Sequence, residues 1–307
     1  MFLCDVLCGT LWLIIFYHEG LKGFHKGSQR YSVNIANFGA CNKVTKMATF
    51  LFDEIIFGPV KSRRLGVSLG INLLPAKRKI CNFNCIYCEC GWTRNSEKAV
   101  SHLPGRKDVF EALDRKLSEM KIKDQKPDVI TYAGNGEPTL HPHFPGIIDD
   151  SIILRDKHFP CAKIAVLSNS TTINDPLVKA ALLKVDMNIL KFDSAFNTTV
   201  NIHNQPAVNL SIDDLINNLA GFNGQLIIQT LFLRGIYNNK VIDNTTPAEI
   251  SAWLKAIEII KPSQVMIYTI SRDTPPEGGQ LNKVPARELR KIASMIKKLG
   301  IKTQVSV

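Results

Sequence analysis

From residue 67 onward, short apolar runs rich in β-branched residues alternate with longer stretches whose apolar positions recur at helical spacing. A run of four to eight such residues reads as a buried strand, and an apolar repeat every three to four residues as one face of a helix. Strands are predicted at residues 67–74, 128–133, 163–168, 187–193, 226–233 and 264–270. Helices are predicted at 108–120, 143–155, 175–183, 211–219, 247–260 and 285–299. Pro, Ser or Asp near several helix starts agrees with capping chemistry, and Gly300 closes the last helix before a terminal strand at 301–307. Regular alternation of this kind predicts an α/β fold whose βαβ units build a mainly parallel sheet.

Composition changes this picture little. The 307 residues are 45% hydrophobic and 21% charged, which is ordinary for a globular chain and carries no disorder signature. The formal charge of +11 favours an anionic partner such as RNA, a nucleotide or a phosphorylated substrate. No basic helix, aromatic-interleaved RNA motif or zinc knuckle accompanies that charge, so it names no ligand.

Residues 1–46 read differently and are expected to form an N-terminal extension, with Met47 as the physiological start and 47–307 as one catalytic domain. The apolar run at 11–17 is far shorter than the roughly 20 residues a membrane span needs. No basic segment precedes it, Asp5 interrupts the apolar stretch and no small-residue cleavage site follows, so it does not read as a secretory signal. A cytoplasmic protein is expected.

The chemistry concentrates in Cys81, Cys85 and Cys88, a C-x3-C-x2-C spacing with Tyr87 before the last cysteine. Three thiolates leave a four-iron cluster one ligand short, whereas electron-transfer clusters are held by four. A metal with an open position can bind substrate. Structural zinc usually pairs two C-x2-C knuckles, and no second knuckle is present among Cys4, Cys8, Cys41, Cys90 and Cys161. Cys90 raises a stronger alternative, because a fourth thiolate would make the site a saturated redox carrier or sensor. A third reading is an RNA-binding protein with a structural cluster. Disulfides are not expected, since clustered cysteines in a chain without an export signal fit a reducing compartment.

The loop with Tyr87 in its aromatic position resembles the cluster loop of the radical S-adenosylmethionine (radical SAM) enzymes. The segments at 57–66 and 68–75 resemble the entry to a branch of iron-sulfur oxidoreductases distantly similar to wyosine-forming tRNA enzymes. The resemblance implies a partial (β/α)6 TIM-type barrel with mainly parallel strands, and residues 47–307 are close to the size typical of a barrel domain. It further implies a [4Fe-4S] cluster on Cys81, Cys85 and Cys88 whose fourth iron binds S-adenosylmethionine. Reduction by a flavodoxin or ferredoxin would cleave that cofactor to methionine and a 5'-deoxyadenosyl radical, which abstracts hydrogen from a substrate that nothing in the sequence identifies, an anionic molecule or tRNA being the candidates.

In such a barrel the working residues belong at the C-terminal ends of strands. Gly134, Gly136 and Glu137 follow the second predicted strand and resemble the family's Gly-Gly-Glu motif, with Asn135 inserted; Gly136 and Glu137 are expected to meet the cofactor's ammonium. Ser168, Asn169 and Asp193 end the next two strands, where family members contact the ribose or methionyl carboxylate, although Ser, Asn and Asp there serve equally as helix caps. Arg234 is a candidate for pairing with a carboxylate, and Tyr268 resembles a position lining the adenine. His141 and His143 read as loop residues, and the basic residues Lys61, Arg63, Arg64, Lys77, Arg78 and Lys79 as charge beside the cluster or a solvated face.

Overall fold

A computed structural model describes residues 50–93, 102–271, 274 and 279–307. The expected N-terminal extension and the start at Met47 lie outside the described residues. The strands are β1 (Ile56–Ser62), β2 (Gly66–Ile71), β3 (Val129–Tyr132), β4 (Lys163–Ser168), β5 (Met187–Lys191), β6 (Ile227–Leu231), β7 (Leu233–Tyr237), β8 (Lys240–Asp243), β9 (Gln264–Tyr268), β10 (Gln280–Lys283) and β11 (Lys302–Ser306). The helices are α1 (Arg106–Ile122), α2 (Phe144–His158), α3 (Pro176–Leu182), α4 (Asn197–His203), α5 (Ile212–Ala220), α6 (Pro247–Ile260) and α7 (Ala286–Lys298).

Eight strands form one sheet in the order β1-β2-β3-β4-β5-β6-β9-β11. Only β1 runs antiparallel to its neighbour; from β2 to β11 every pairing is parallel. The sheet curls into an open half-barrel with helices outside, the partial barrel expected from the sequence.

Side chains alternate across the pleat. Ile130, Ile164, Val166, Leu190, Ile228, Val265 and Ile267 point outward and pack with Leu113, Leu117, Ile147, Trp253, Ile257 and Leu289 of the helices. Burying each such side chain stabilises by about 1.5–3 kcal/mol, so this layer holds the fold. Val129, Ala165, Ile189, Ile227 and Met266 point inward and form a smaller apolar floor, with Leu65, Leu167 and Met187 packed against it. The same register puts Lys191 and Tyr268 on the inner face at the strands' C-terminal ends.

Helix starts follow the local chemistry. Asp175 accepts from Leu177 N (2.8 Å) and Val178 N (3.4 Å), and Ser211 and Thr246 accept from Asp214 N and Glu249 N (both 3.3 Å). The first helix begins earlier than predicted, at Arg106, because Asp108 reaches back to the Gly105 amide (2.9 Å).

Three features depart from the sequence reading. The hairpin strand β1 goes unpredicted, because Gly58 and Pro59 interrupt its apolar pattern. Its Phe57 ring lies on Gly70, where a Cβ would stand 2.1 Å from the ring, so only glycine fits. Helix α4 also goes unpredicted, since Asn-Thr-Thr-Val-Asn-Ile-His lacks an apolar repeat. Finally, the strand predicted at 226–233 divides: β6 stays in the barrel, and β7 turns away to pair with β8 and β10 in a separate antiparallel sheet.

Candidate active site

The cysteine loop lies across the C-terminal ends of the strands, fixed on two sides. On one, Ile80 N donates to Asn135 O (2.9 Å) and Glu137 N donates to Ile80 O (3.0 Å). Gly136 permits this approach: its φ is +136°, and a Cβ would lie 1.8 Å from Ile80 O. On the other, Ile86 N donates to His203 O (2.9 Å) and Asn84 N to Gln205 O (3.2 Å). The inserted Asn135 has a structural reason. Its amide exchanges hydrogen bonds with the backbone of Phe52 (2.8 and 2.7 Å) and donates to Pro75 O (2.8 Å), tying down the segment before β1.

Amide donors meet the sulfurs. Cys81 Sγ accepts from Phe83 N (3.4 Å) and Asn169 Nδ2 (3.5 Å), and Cys85 Sγ accepts from Asn204 Nδ2 (3.4 Å). Such donors, with nearby cations, are what a thiolate-ligated cluster needs around it. Of the basic residues flagged in the sequence, Lys79 is buried, 4% exposed, with Nζ donating to Gly91 O (2.9 Å). Burial works against its charge, yet Cys88, Cys81 and Cys85 together hold its pKa above the ordinary lysine value. Burial raises the thiol pKa of Cys81, to about 12, and of Cys85.

Cys88 and Cys90 differ. The hydrogen bond between them pulls Cys88 well below the usual thiol value and pushes Cys90 up. Cys90 Sγ also donates to Gly134 O (3.4 Å). Among the described residues, no three His, Cys, Asp or Glu side chains converge as a single-ion site requires. In a cluster, unlike a single-ion site, each thiolate meets a different iron. His141 and His143 are loop residues: the His141 ring bonds to Pro104 O (2.9 Å) and accepts from His143 N (3.1 Å).

Two buried carboxylates flank the loop. Glu137, 2% exposed, accepts from Thr139 N (3.1 Å), Thr139 Oγ1 (2.6 Å) and Asn169 N (2.6 Å), and Ser168 also bonds to it. Burial raises its pKa despite these donors. Asp193 lies against Tyr87 OH in a short hydrogen bond, and accepts from Asn204 Nδ2 (2.8 Å), Leu231 N (2.9 Å) and Lys191 Nζ (3.4 Å). Burial opposes its charge too, and is the largest single influence, but Lys191 together with the hydrogen bonds from Leu231 N, Tyr87 and Asn204 outweighs it and lowers the carboxyl pKa. Lys191 Nζ further donates to Tyr87 OH (3.0 Å) and Tyr268 OH (3.5 Å).

Cys88 lies against Lys79 and Cys90, and the other predicted site residues, Arg234 apart, gather in two groups. Cys81, Gly136, Glu137, Ser168 and Asn169 form one, and Cys85, Tyr87, Asp193 and Tyr268 the other. Arg234 joins neither: it bonds Thr245 Oγ1 (2.8 Å), Asp243 (3.0 Å) and Glu288 (2.5 Å) on the small sheet. Sequence reasoning missed Lys191 and Asn204 as site residues. Lys191 had a signal, a charge ending an otherwise apolar strand, whereas Asn204 follows the unpredicted α4.

The Radical SAM superfamily matches residues 78–217, which contain the whole cysteine loop and both carboxylates. A radical SAM methyltransferase from Sphaerobacter thermophilus aligns with 78% of this chain and 65% of its own at TM-score 0.56 and 11% identity, which shows the same fold. Residues 78–217 thus carry a Radical SAM superfamily domain, set in the half-barrel fold of that methyltransferase. A UPF0026 protein of Helicobacter pylori is 31% identical over 241 residues, 77% of this chain and 72% of that protein, and the chain belongs to this UPF0026 family. A GTPase Obg of Brachyspira hyodysenteriae is 28% identical over 236 residues, and this chain spans 32% of its length. It spans 55% of the Methanocaldococcus jannaschii UPF0026 protein, which is 33% identical over 186 residues.

Proposed function

We propose that the chain holds a [4Fe-4S] cluster on Cys81, Cys85 and Cys88 and binds S-adenosylmethionine at the cluster's open corner. The cluster and cofactor together supply, on receiving an electron, methionine and a 5'-deoxyadenosyl radical able to take a hydrogen atom from substrate. The observation that carries this reading is the cysteine loop itself, in which Cys81 and Cys85 are met by amide donors while Cys90 Sγ is turned to Gly134 O (3.4 Å). Three thiolates remain for the cluster.

The chain's own residues orient and shield. Asn169 and Asn204 steady two of the sulfurs from opposite sides. Glu137 joins the turn after β3 to the end of β4, keeping Gly136 and Asn169 beside the loop for the cofactor's methionyl end. Asp193, Tyr87 and Tyr268, assembled around Lys191, face its nucleoside end. The apolar floor beneath them excludes water, which a reactive radical requires. Arg234 is left out of the site. The electron comes from a flavodoxin or ferredoxin, and the enzyme works in the cytoplasm; among the described residues no helix is long and apolar enough to cross a membrane.

Anaerobic reconstitution followed by chemical reduction tests the reading. Wild type and Cys90→Ser should form 5'-deoxyadenosine from S-adenosylmethionine, and Cys85→Ala should form none. A fully iron-loaded wild type that yields no 5'-deoxyadenosine would overturn it.

A further inference from the structure

We infer that the substrate of this barrel carries an anionic group, a carboxylate or a phosphate ester, and that Arg64 receives it; this deepens the preceding reading and rests on it. Arg64 lies in the turn between β1 and β2, where Ser62 Oγ accepts from the Arg64 and Leu65 amides (3.3 and 3.2 Å). The turn crosses the open seam of the half-barrel. Arg63 donates to Val307 O (2.7 Å) and Ser271 Oγ (2.6 Å), and Gln304 Nε2 of β11 donates to Arg64 O (3.1 Å). The backbone is therefore pinned on both sides of the Arg64 side chain.

That side chain runs to the mouth. Its Cζ stands 4.6 Å from the centre of the Tyr268 ring, and Tyr268 OH is 3.5 Å from Lys191 Nζ. Its Nη1 is buried and has no hydrogen-bond partner, and no carboxylate pairs with Arg64 among the described residues. Arg78 Nε is also buried without a partner, but three other arginines are paired with carboxylates: Arg155 with Asp156 and Asp186, Arg106 with Asp150, Arg234 with Asp243 and Glu288. A buried, unused donor on a permanent cation is costly, and the Tyr268 face returns only part of what is lost. The missing partner is an acceptor brought from outside. A planar fork of N–H donors matches a carboxylate or a phosphate in two-point fashion. Asp193 is already engaged by Lys191 (3.4 Å) and is not bonded to Arg64.

The test is a calorimetric titration of inorganic phosphate into the cluster-loaded full chain with S-adenosylmethionine at saturation. Wild type should show one saturable site. Arg64→Gln should weaken it roughly tenfold or more, and Arg64→Lys, which keeps the charge but loses the fork, should fall between. Arg115→Gln removes the same charge from the exposed face of α1 and should leave the site intact. Acetate in place of phosphate distinguishes the two anions, and tighter binding of either supports the inference. Equal losses in Arg64→Gln and Arg115→Gln would reveal diffuse attraction and overturn it. So would a site that disappears when S-adenosylmethionine is added, because the cofactor's own carboxylate would then be the occupant. The titration reads binding rather than turnover. A chain that binds phosphate through Arg64 yet forms no 5'-deoxyadenosine sinks the proposed reaction and spares the anion site; the converse result does the reverse.

Discussion

Glu137 and Asp193 are carboxylates of nearly equal burial, 2% and 3% exposed, on opposite sides of one cysteine loop, and their pKa values move in opposite directions. Glu137 has only neutral donors around it, so burial prevails and favours the protonated form. Asp193 faces the Lys191 ammonium, and that charge together with hydrogen bonds from Leu231 N, Tyr87 and Asn204 prevails over burial. The same residue chemistry thus gives a staple in one place and half of an ion pair in the other. The staple holds the backbone around Gly136 in position. The pair carries charge into the lumen, where a cofactor or substrate would meet it.

The largest test of this contrast is Asp193→Ala. It strands the Lys191 cation in a buried site and should cost about 3–5 kcal/mol, with a fall in Tm of about 10 °C. Loss of under 1 kcal/mol would show that the pair is solvated and the contrast false. His203 sharpens the same side. It is 1% exposed, both ring nitrogens lack partners, and burial lowers its pKa to about 4. Because the folded value lies below the unfolded value of about 6.5, the unfolded chain binds the proton first, and stability falls as pH drops through that window. Urea denaturation at pH 7 and pH 5 should differ by about 2 kcal/mol more in wild type than in His203→Leu. Identical pH dependence in the two chains would contradict the assignment.

Glu137→Gln should cost less, about 1–2 kcal/mol, since it places an NH2 group against one set of existing donors without stranding a charge. Thermal melting checks it, and a loss as large as that of Asp193→Ala would erase the distinction. Arg234→Ala is expected to be smallest, under about 1 kcal/mol, and screened by salt, because its ion pairs are partly exposed. Weakened binding of S-adenosylmethionine in that variant would return Arg234 to the site.

How far the sequence announced these features follows from periodicity. Parallel strands packed on both faces are continuous apolar runs, so β4 emerges with its observed bounds and α6 likewise. The cysteines and the Gly136–Glu137 turn were legible because their spacing is local. Asn204 and Arg64 were not. Each acts through contacts across more than a hundred residues, Asn204 to Cys85 and Arg64 to Tyr268, and no local pattern encodes such pairs. Arg234 misled for the mirror reason: it follows a barrel strand in sequence, but its strand leaves the barrel at Phe232.

The most direct test of the central claim is electron paramagnetic resonance of the anaerobically reduced protein with and without S-adenosylmethionine, in wild type, Cys88→Ser and Cys90→Ser. A three-thiolate cluster with an open corner predicts a signal that changes on adding the cofactor in wild type and Cys90→Ser, and no such cluster in Cys88→Ser. A signal indifferent to the cofactor, or a cluster lost with Cys90 and kept without Cys88, would contradict it.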